Sequence, residues 1–194
     1  SALARKLLPI LQKENPKVTI ESISIAIKRY VDKTKKESVS RAVKNIIAQS
    51  QLSTKNDVIH ITFKRNDFIL QQLSEVSKKI KWDEEEIFFI NQGSGEVTLI
   101  IDSKSEHLLD GCKKYQIERT KGLSVISIRE NQKISERSIE YPGIYAHFTN
   151  RLARNGINLV SVVSTYTQIT FAFKKKEFIR AYQVLQEAID FFRK

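Results

Sequence analysis

Tyr141-Pro142-Gly143-Ile144-Tyr145-Ala146-His147-Phe148, continued by Leu152-Ala153-Arg154-Asn155-Gly156-Ile157-Asn158-Leu159-Val160, is the stretch from which the C-terminal part of this chain can be read. Proline is accepted in the first turn of a helix, where its missing N–H would have had no partner, and glycine readily takes the left-handed conformation that ends one. Pro142 and Gly156 therefore bracket a helix over about 142–155. Gly143 lets the chain turn closely at the start of that helix. Backbone N–H groups without helical acceptors and the positive end of the helix dipole meet there, and together they can hold a carboxylate.

Outward from this helix, Leu123 to Ile128 reads as a strand before it, and Ile157 to Thr165 and Gln168 to Phe173 as two strands after it. A last helix over about 176–192 places Phe178, Ala181, Tyr182, Leu185, Ile189 and Phe192 on one face. The order is βαββα, and a closing strand is missing. Such a sheet must borrow one from elsewhere in the chain or from a partner subunit, which predicts an interlocked or dimeric assembly.

Upstream, the same order occurs in full. Ile59, Ile61 and Phe63 alternate with polar residues in a strand that begins at Val58, and Leu70, Leu73, Val76 and Ile80 recur at helical spacing over 68–80. An acidic turn, Asp83 to Glu86, leads into the strand Ile87–Ile90, which Gly93-Ser94-Gly95 joins to Val97–Ile101 as a hairpin. A helix near 104–115 and a short strand near 116–120 follow. The fold class is α+β: two ferredoxin-like βαββαβ repeats in tandem, over 56–120 and 121–194.

Residues 1–52 precede them as a small helical module. Leu3, Leu7, Leu8 and Leu11 mark a first helix that ends before Pro16. Thr19 caps a second helix with an apolar stripe of Ile20, Ile23, Ile27 and Val31, and Ser38 caps a third that carries Val39, Val43, Ile46 and Ile47. The first fifty residues hold eleven Lys and Arg against four Asp and Glu, so most of the formal charge of +11 is concentrated in this module and the last repeat. It is the part suited to a polyanion.

Several functions find no support. No apolar run is long enough to span a membrane, the start has no signal-peptide pattern, and a cytoplasmic protein is expected. A single cysteine, Cys112, allows no internal disulfide, and His60, His107 and His147 are too far apart for zinc-type spacing, so no metal or other cofactor is expected. Gly93-Ser94-Gly95 joins two strands, unlike a phosphate-cradling loop, and Asp83 to Glu86 lacks calcium-loop spacing and reads as a solvated turn. With no nucleophile–base constellation visible, a non-enzyme is expected.

The run from Ile139 to Phe148, with Leu152 to Val160, resembles the ACT domain family. In that family a Pro-Gly-aliphatic turn opens the first helix, and a Gly-Ile-Asn-aliphatic run leads to the second strand. Residues 122–192 follow the pattern closely and 56–120 loosely. The leader, in Ala2-Leu3-Ala4-Arg5-Lys6-Leu7-Leu8-Pro9 and Ile25-Ala26-Ile27-Lys28-Arg29-Tyr30, resembles that of archaeal ACT-containing proteins. The resemblance implies a regulatory protein, a homo-oligomer, most simply a dimer, that senses a small effector, an amino acid. It selects Tyr141, Pro142, Gly143, Ile144 and Asn158 as the ligand site. The matching loop of the first repeat, Arg65-Asn66-Asp67, has no Pro-Gly pair, and a purely structural repeat is expected there. The family also includes the regulatory regions of aspartokinases, but the chain has no room for a kinase domain.

A second function competes with this one. Three basic helices followed by Lys55-Asn56-Asp57 as a wing tip would make a winged helix, with Lys35, Lys36, Arg41 and Lys44 on phosphates and Ser40 or Asn45 at base edges. The protein would then be a ligand-responsive DNA-binding transcriptional regulator.

Overall fold

The protein is described here by a computed structural model covering residues 2–36, 40–131 and 140–193, which fall into two units, Ser1–Ser40 and Arg41–Lys194. The first unit is a pair of helices, α1 (Ala2–Glu14) and α2 (Ile20–Lys36), that bury Ala4 and Ile23. The turn between them is held locally. Asn15 Oδ1 accepts from Lys17 N at 3.1 Å, Thr19 Oγ1 accepts from Ser22 N at 3.1 Å, and Ser22 Oγ accepts from Thr19 N at 3.0 Å. Thr19 thus caps α2 as its position before the apolar stripe predicts.

The second unit contains α3 (Arg41–Gln49), β1 (Gln51–Lys64), α4 (Asp67–Ser77), β2 (Phe88–Gln92), β3 (Glu96–Asp102), a 3₁₀ segment over Ser103–Tyr115, β4 (Gln116–Arg129), α5 (Ile144–Arg154), β5 (Ser161–Ser164), β6 (Gln168–Lys174) and α6 (Phe178–Asp190). One antiparallel six-stranded sheet runs in the order β2-β3-β1-β4-β6-β5.

The two long strands explain the missing one. The second half of β1 pairs with β3 and with the first half of β4, where His60 faces Thr120. The first half of β1 pairs with the second half of β4, where Leu52 faces Ile128 and Thr54 faces Ile126, and β4 in turn pairs with β6. Each half of the sheet therefore has the four-strand order of a ferredoxin-like fold. The second repeat takes residues 51–56 as its closing strand. The lender is the chain itself, so the missing strand no longer argues for a partner subunit. The halves meet at a bulge, where Asp57 and Gly122 have positive φ of 56° and 66° and the register shifts.

These strands correct the expected boundaries of 1–52, 56–120 and 121–194. The division falls after Ser40, and α3 belongs to the sheet-bearing unit, where Val43, Ile46 and Ile47 are buried and Arg193 donates to Ala48 O and Ser50 O at 2.9 Å each. No linker separates the repeats, because β1 and β4 each run through both. Lys55-Asn56-Asp57 lies inside β1 and forms no wing tip: Lys55 Nζ donates to Glu85 O at 3.0 Å, and Asn56 Oδ1 accepts from Ser124 Oγ at 2.7 Å.

Strand alternation sends each sheet residue to one of two faces. On one face Ile59, Ile61, Phe63, Val97, Leu99 and Ile101 pack with Ile69, Leu73 and Val76 of α4 and with Leu109 and Cys112. The same face in the second repeat carries Ile126, Ile128, Phe171 and Phe173, all buried, and α5 and α6 bury Phe148, Leu152, Leu185 and Ile189. On the opposite face Val58, Ile100, Leu123, Val125 and Ala172 form a second cluster. Ile87 and Phe89 from one edge of the sheet and Val160 and Val163 from the other pack against it.

Candidate functional site

The starts of α4 and α5 differ, and local sequence decides how. At α4, Asn66 is an extended N-cap whose side chain accepts from Ile69 N at 2.9 Å, while Arg65 N donates to Gly95 O at 3.0 Å. One free donor of that turn, Ile69 N, is engaged by the cap. At α5 the N-cap is Gly143, in the left-handed region at φ 110°, with no side chain to cap the helix. The first helical bond runs from His147 N to Gly143 O at 2.9 Å, so the N–H groups of Ile144, Tyr145 and Ala146 have no acceptor within the helix.

Those N–H groups border a cavity of about 300 Å³ lined by Glu130, Tyr141, Pro142, Gly143, Ile144, Tyr145 and Ala146. Ile144 is buried and anchors the turn to the core, whereas Tyr145 is half-exposed at the rim. Glu130 follows the last residue of β4, its backbone N–H held by Thr167 O at 2.8 Å. The lining therefore combines an acidic residue with the positive end of a helix dipole. That polarity suits a small zwitterion.

Of the five residues selected from the sequence, Tyr141, Pro142, Gly143 and Ile144 come together in this cavity. Asn158 does not: it is exposed, beyond the left-handed Gly156 that ends α5. There Gly156 N donates to Ala153 O and Ile157 N to Leu152 O, which closes the helix and carries the chain away. Glu130, Tyr145 and Ala146 were missed. For Tyr145 and Ala146 the signal was available, since the first turn of a helix presents consecutive N–H groups. Glu130 is brought in only by strand pairing.

The residues of the DNA-binding alternative are divided between the two units. Arg41 is exposed at the first turn of α3, and the Lys44 ammonium lies 6.0 Å above the Phe192 ring. Lys35 and Lys36 end α2, and their side chains lie outside the described residues. The acidic turn also differs from a solvated one. Glu86 is buried, accepting from Lys81 N at 3.1 Å and pairing with Lys104 at 2.8 Å; these two hydrogen bonds hold its carboxyl below the usual carboxylate range against the opposing effect of burial. Among the described residues no helix is long and apolar enough to cross a membrane.

No family model and no curated protein matches the sequence. Solved structures do match it. The Clostridium acetobutylicum aspartate kinase, an allosteric enzyme, superposes with a TM-score of 0.57 at 12% identity, over 71% of this chain and 34% of the kinase. The regulatory subunit of aspartate kinase from Thermus thermophilus superposes with a TM-score of 0.51 at 13% identity, over 71% of this chain and 95% of the subunit. The fold is that of ACT regulatory domains. Escherichia coli aspartokinase III, solved with lysine and aspartate in its T state, gives a TM-score of 0.50 at 12% identity, over 74% of this chain and 33% of the enzyme. The chain thus spans about a third of the full-length kinases and nearly all of the separate regulatory subunit.

Proposed function

We propose that this is a non-catalytic, cytoplasmic regulatory protein that senses an amino acid in the cavity at the start of α5. One observation carries the proposal: the first turn of α5 behind Gly143 and the acidic Glu130 line the same cavity of about 300 Å³. The effector's carboxylate sits on the N–H groups of Ile144 to Ala146 and its ammonium faces Glu130. The first repeat, whose corresponding helix is capped by Asn66, has a structural role. A homodimer remains part of the proposal, now on the ground of the open sheet edges at β2 and β5.

A thermal-shift screen against the twenty amino acids tests this. A ligand at a hundred times its Kd stabilises by about 2.7 kcal/mol, which is about 5–10 °C for a unit of this size. One amino acid should shift the wild type, and the shift should vanish in Glu130→Gln, which removes the charge without straining the backbone, and in Gly143→Val, which places a branched residue at φ 110°. If no amino acid shifts the wild type, or if both variants keep the shift, the cavity is not an amino-acid site.

A further inference from the structure

The face of the sheet opposite the helices changes character along its length. At the junction of the repeats it is aliphatic, with Leu123 and Val125 buried beside Ile100 and Ala172. Two residues further along β4 the same face turns polar: Ser127 is 6% and Thr170 1% exposed, with their hydroxyls 2.8 Å apart. Hydroxyls at such positions forgo the burial that an aliphatic pair would contribute. Beside them opens a second cavity, of about 340 Å³, between the strands of the second repeat and the segment leading into β2. Phe89 and Val125 form its apolar wall, Ser53 and Ser127 supply hydroxyls, and Arg129 and Glu85 are among its charged residues.

The charges around it are not equally available. Lys55 is 3.7 Å from the Asp102 carboxylate, and Glu86 is paired with Lys104. Arg129 meets only a neutral acceptor, Gln168 Oε1 at 3.4 Å, and has no ion pair among the described residues. A guanidinium presents a planar fork of donors that matches one carboxylate. Glu85 and Glu86 on the same lining disfavour a ligand with a second negative charge. The volume lies near the lower limit for small-molecule sites and excludes a peptide.

The geometry points to a second ligand site on the face of the sheet opposite the helices, which takes a small monocarboxylate, its carboxylate on Arg129 and the hydroxyls of Ser53 and Ser127, its hydrocarbon part on Phe89 and Val125. The site does not depend on the cavity at α5, lies on different elements, and can be tested separately from it.

Titrating the ¹⁵N-labelled full chain with 4-methylpentanoate, L-leucine and isopentylamine, which share a hydrocarbon part and differ in charge, distinguishes the outcomes. The two carboxylates should give saturable amide shifts at Ser53, Val125, Ser127 and Arg129, and the amine should not. Arg129→Gln, at an exposed position, should weaken that binding about tenfold or more, and Ser53→Leu should block it by filling the cavity. Shifts confined to Tyr141–Ala146, equal binding of the amine, or unchanged affinity in Arg129→Gln would each overturn the site.

Discussion

If the second repeat is closed by residues 51–56 of the strand that also forms the centre of the first, damage to one repeat must be felt in the other. Phe148 tests this. It is fully buried beneath α5, flanked on the same helix face by Ile144 and Leu152, and every element it belongs to lies in the second repeat. Truncating a buried phenylalanine to alanine costs about 3–5 kcal/mol in transfer and cavity terms. For a unit of roughly 150 residues, each kcal/mol lowers Tm by about 2–4 °C, so Phe148→Ala should lower the melting point by about 6–20 °C. The protein has a single tryptophan, Trp82, which packs edge-on against Phe88 at 6.3 Å in the first repeat. Melting followed by Trp82 fluorescence therefore reports the first repeat alone, and far-ultraviolet circular dichroism reports the helices and strands of both. The two midpoints should fall together in Phe148→Ala. A Trp82 midpoint that stays at the wild-type value while dichroism splits into two transitions would refute the shared-strand account.

Two smaller effects follow from local geometry. Asn66→Ala removes the side-chain cap of α4 and should cost about 0.5–2 kcal/mol, seen as a lower urea midpoint with an unchanged slope; no loss would mean that the Asn66 bond to Ile69 N is not formed in solution. The Glu86 carboxyl is held down by Lys104 and the Lys81 N–H, so its folded pKa lies below its unfolded value near 4.3. Its contribution is then present above that unfolded value and lost as pH falls through the folded one. Glu86→Gln should flatten the acid limb of urea midpoints measured between about pH 7 and pH 3, and an identical limb in both proteins would show that Glu86 does not carry it.

Much of the local structure was legible because its causes are short-range. Gly93-Ser94-Gly95 turns a hairpin closed by Gly93 N to Glu96 O at 2.9 Å, Thr19 caps α2, and Gly156 ends α5 in a left-handed conformation at φ 66°. Each of these depends on residues within a turn of one another. The face of α5 and the candidate turn at Tyr141–Ile144 were readable for the same reason, whereas Asn158 lies outside that cavity because adjacency in a motif does not tell where the next bend aims a side chain.

What the sequence by itself determined was the alternation of helix and strand after residue 58, apart from the union of 116–129 into one strand, and the helix start that forms the candidate site. Tertiary structure alone decided which strand closes the second repeat. Residues 51–56 pair with 124–129, some seventy positions away, and the choice was made by the bulge at Asp57 and Gly122, which lets one extended strand serve both halves of the sheet. Short-range patterning carries no record of such a partner: Gln51 to Asp57 is polar apart from Leu52, because a strand that closes a repeat at its margin needs few apolar side chains. The same pairing swept Lys55 to Asp57 out of a wing tip, brought Glu130 to the cavity at α5, and set Arg129 beside the hydroxyls of the face opposite the helices.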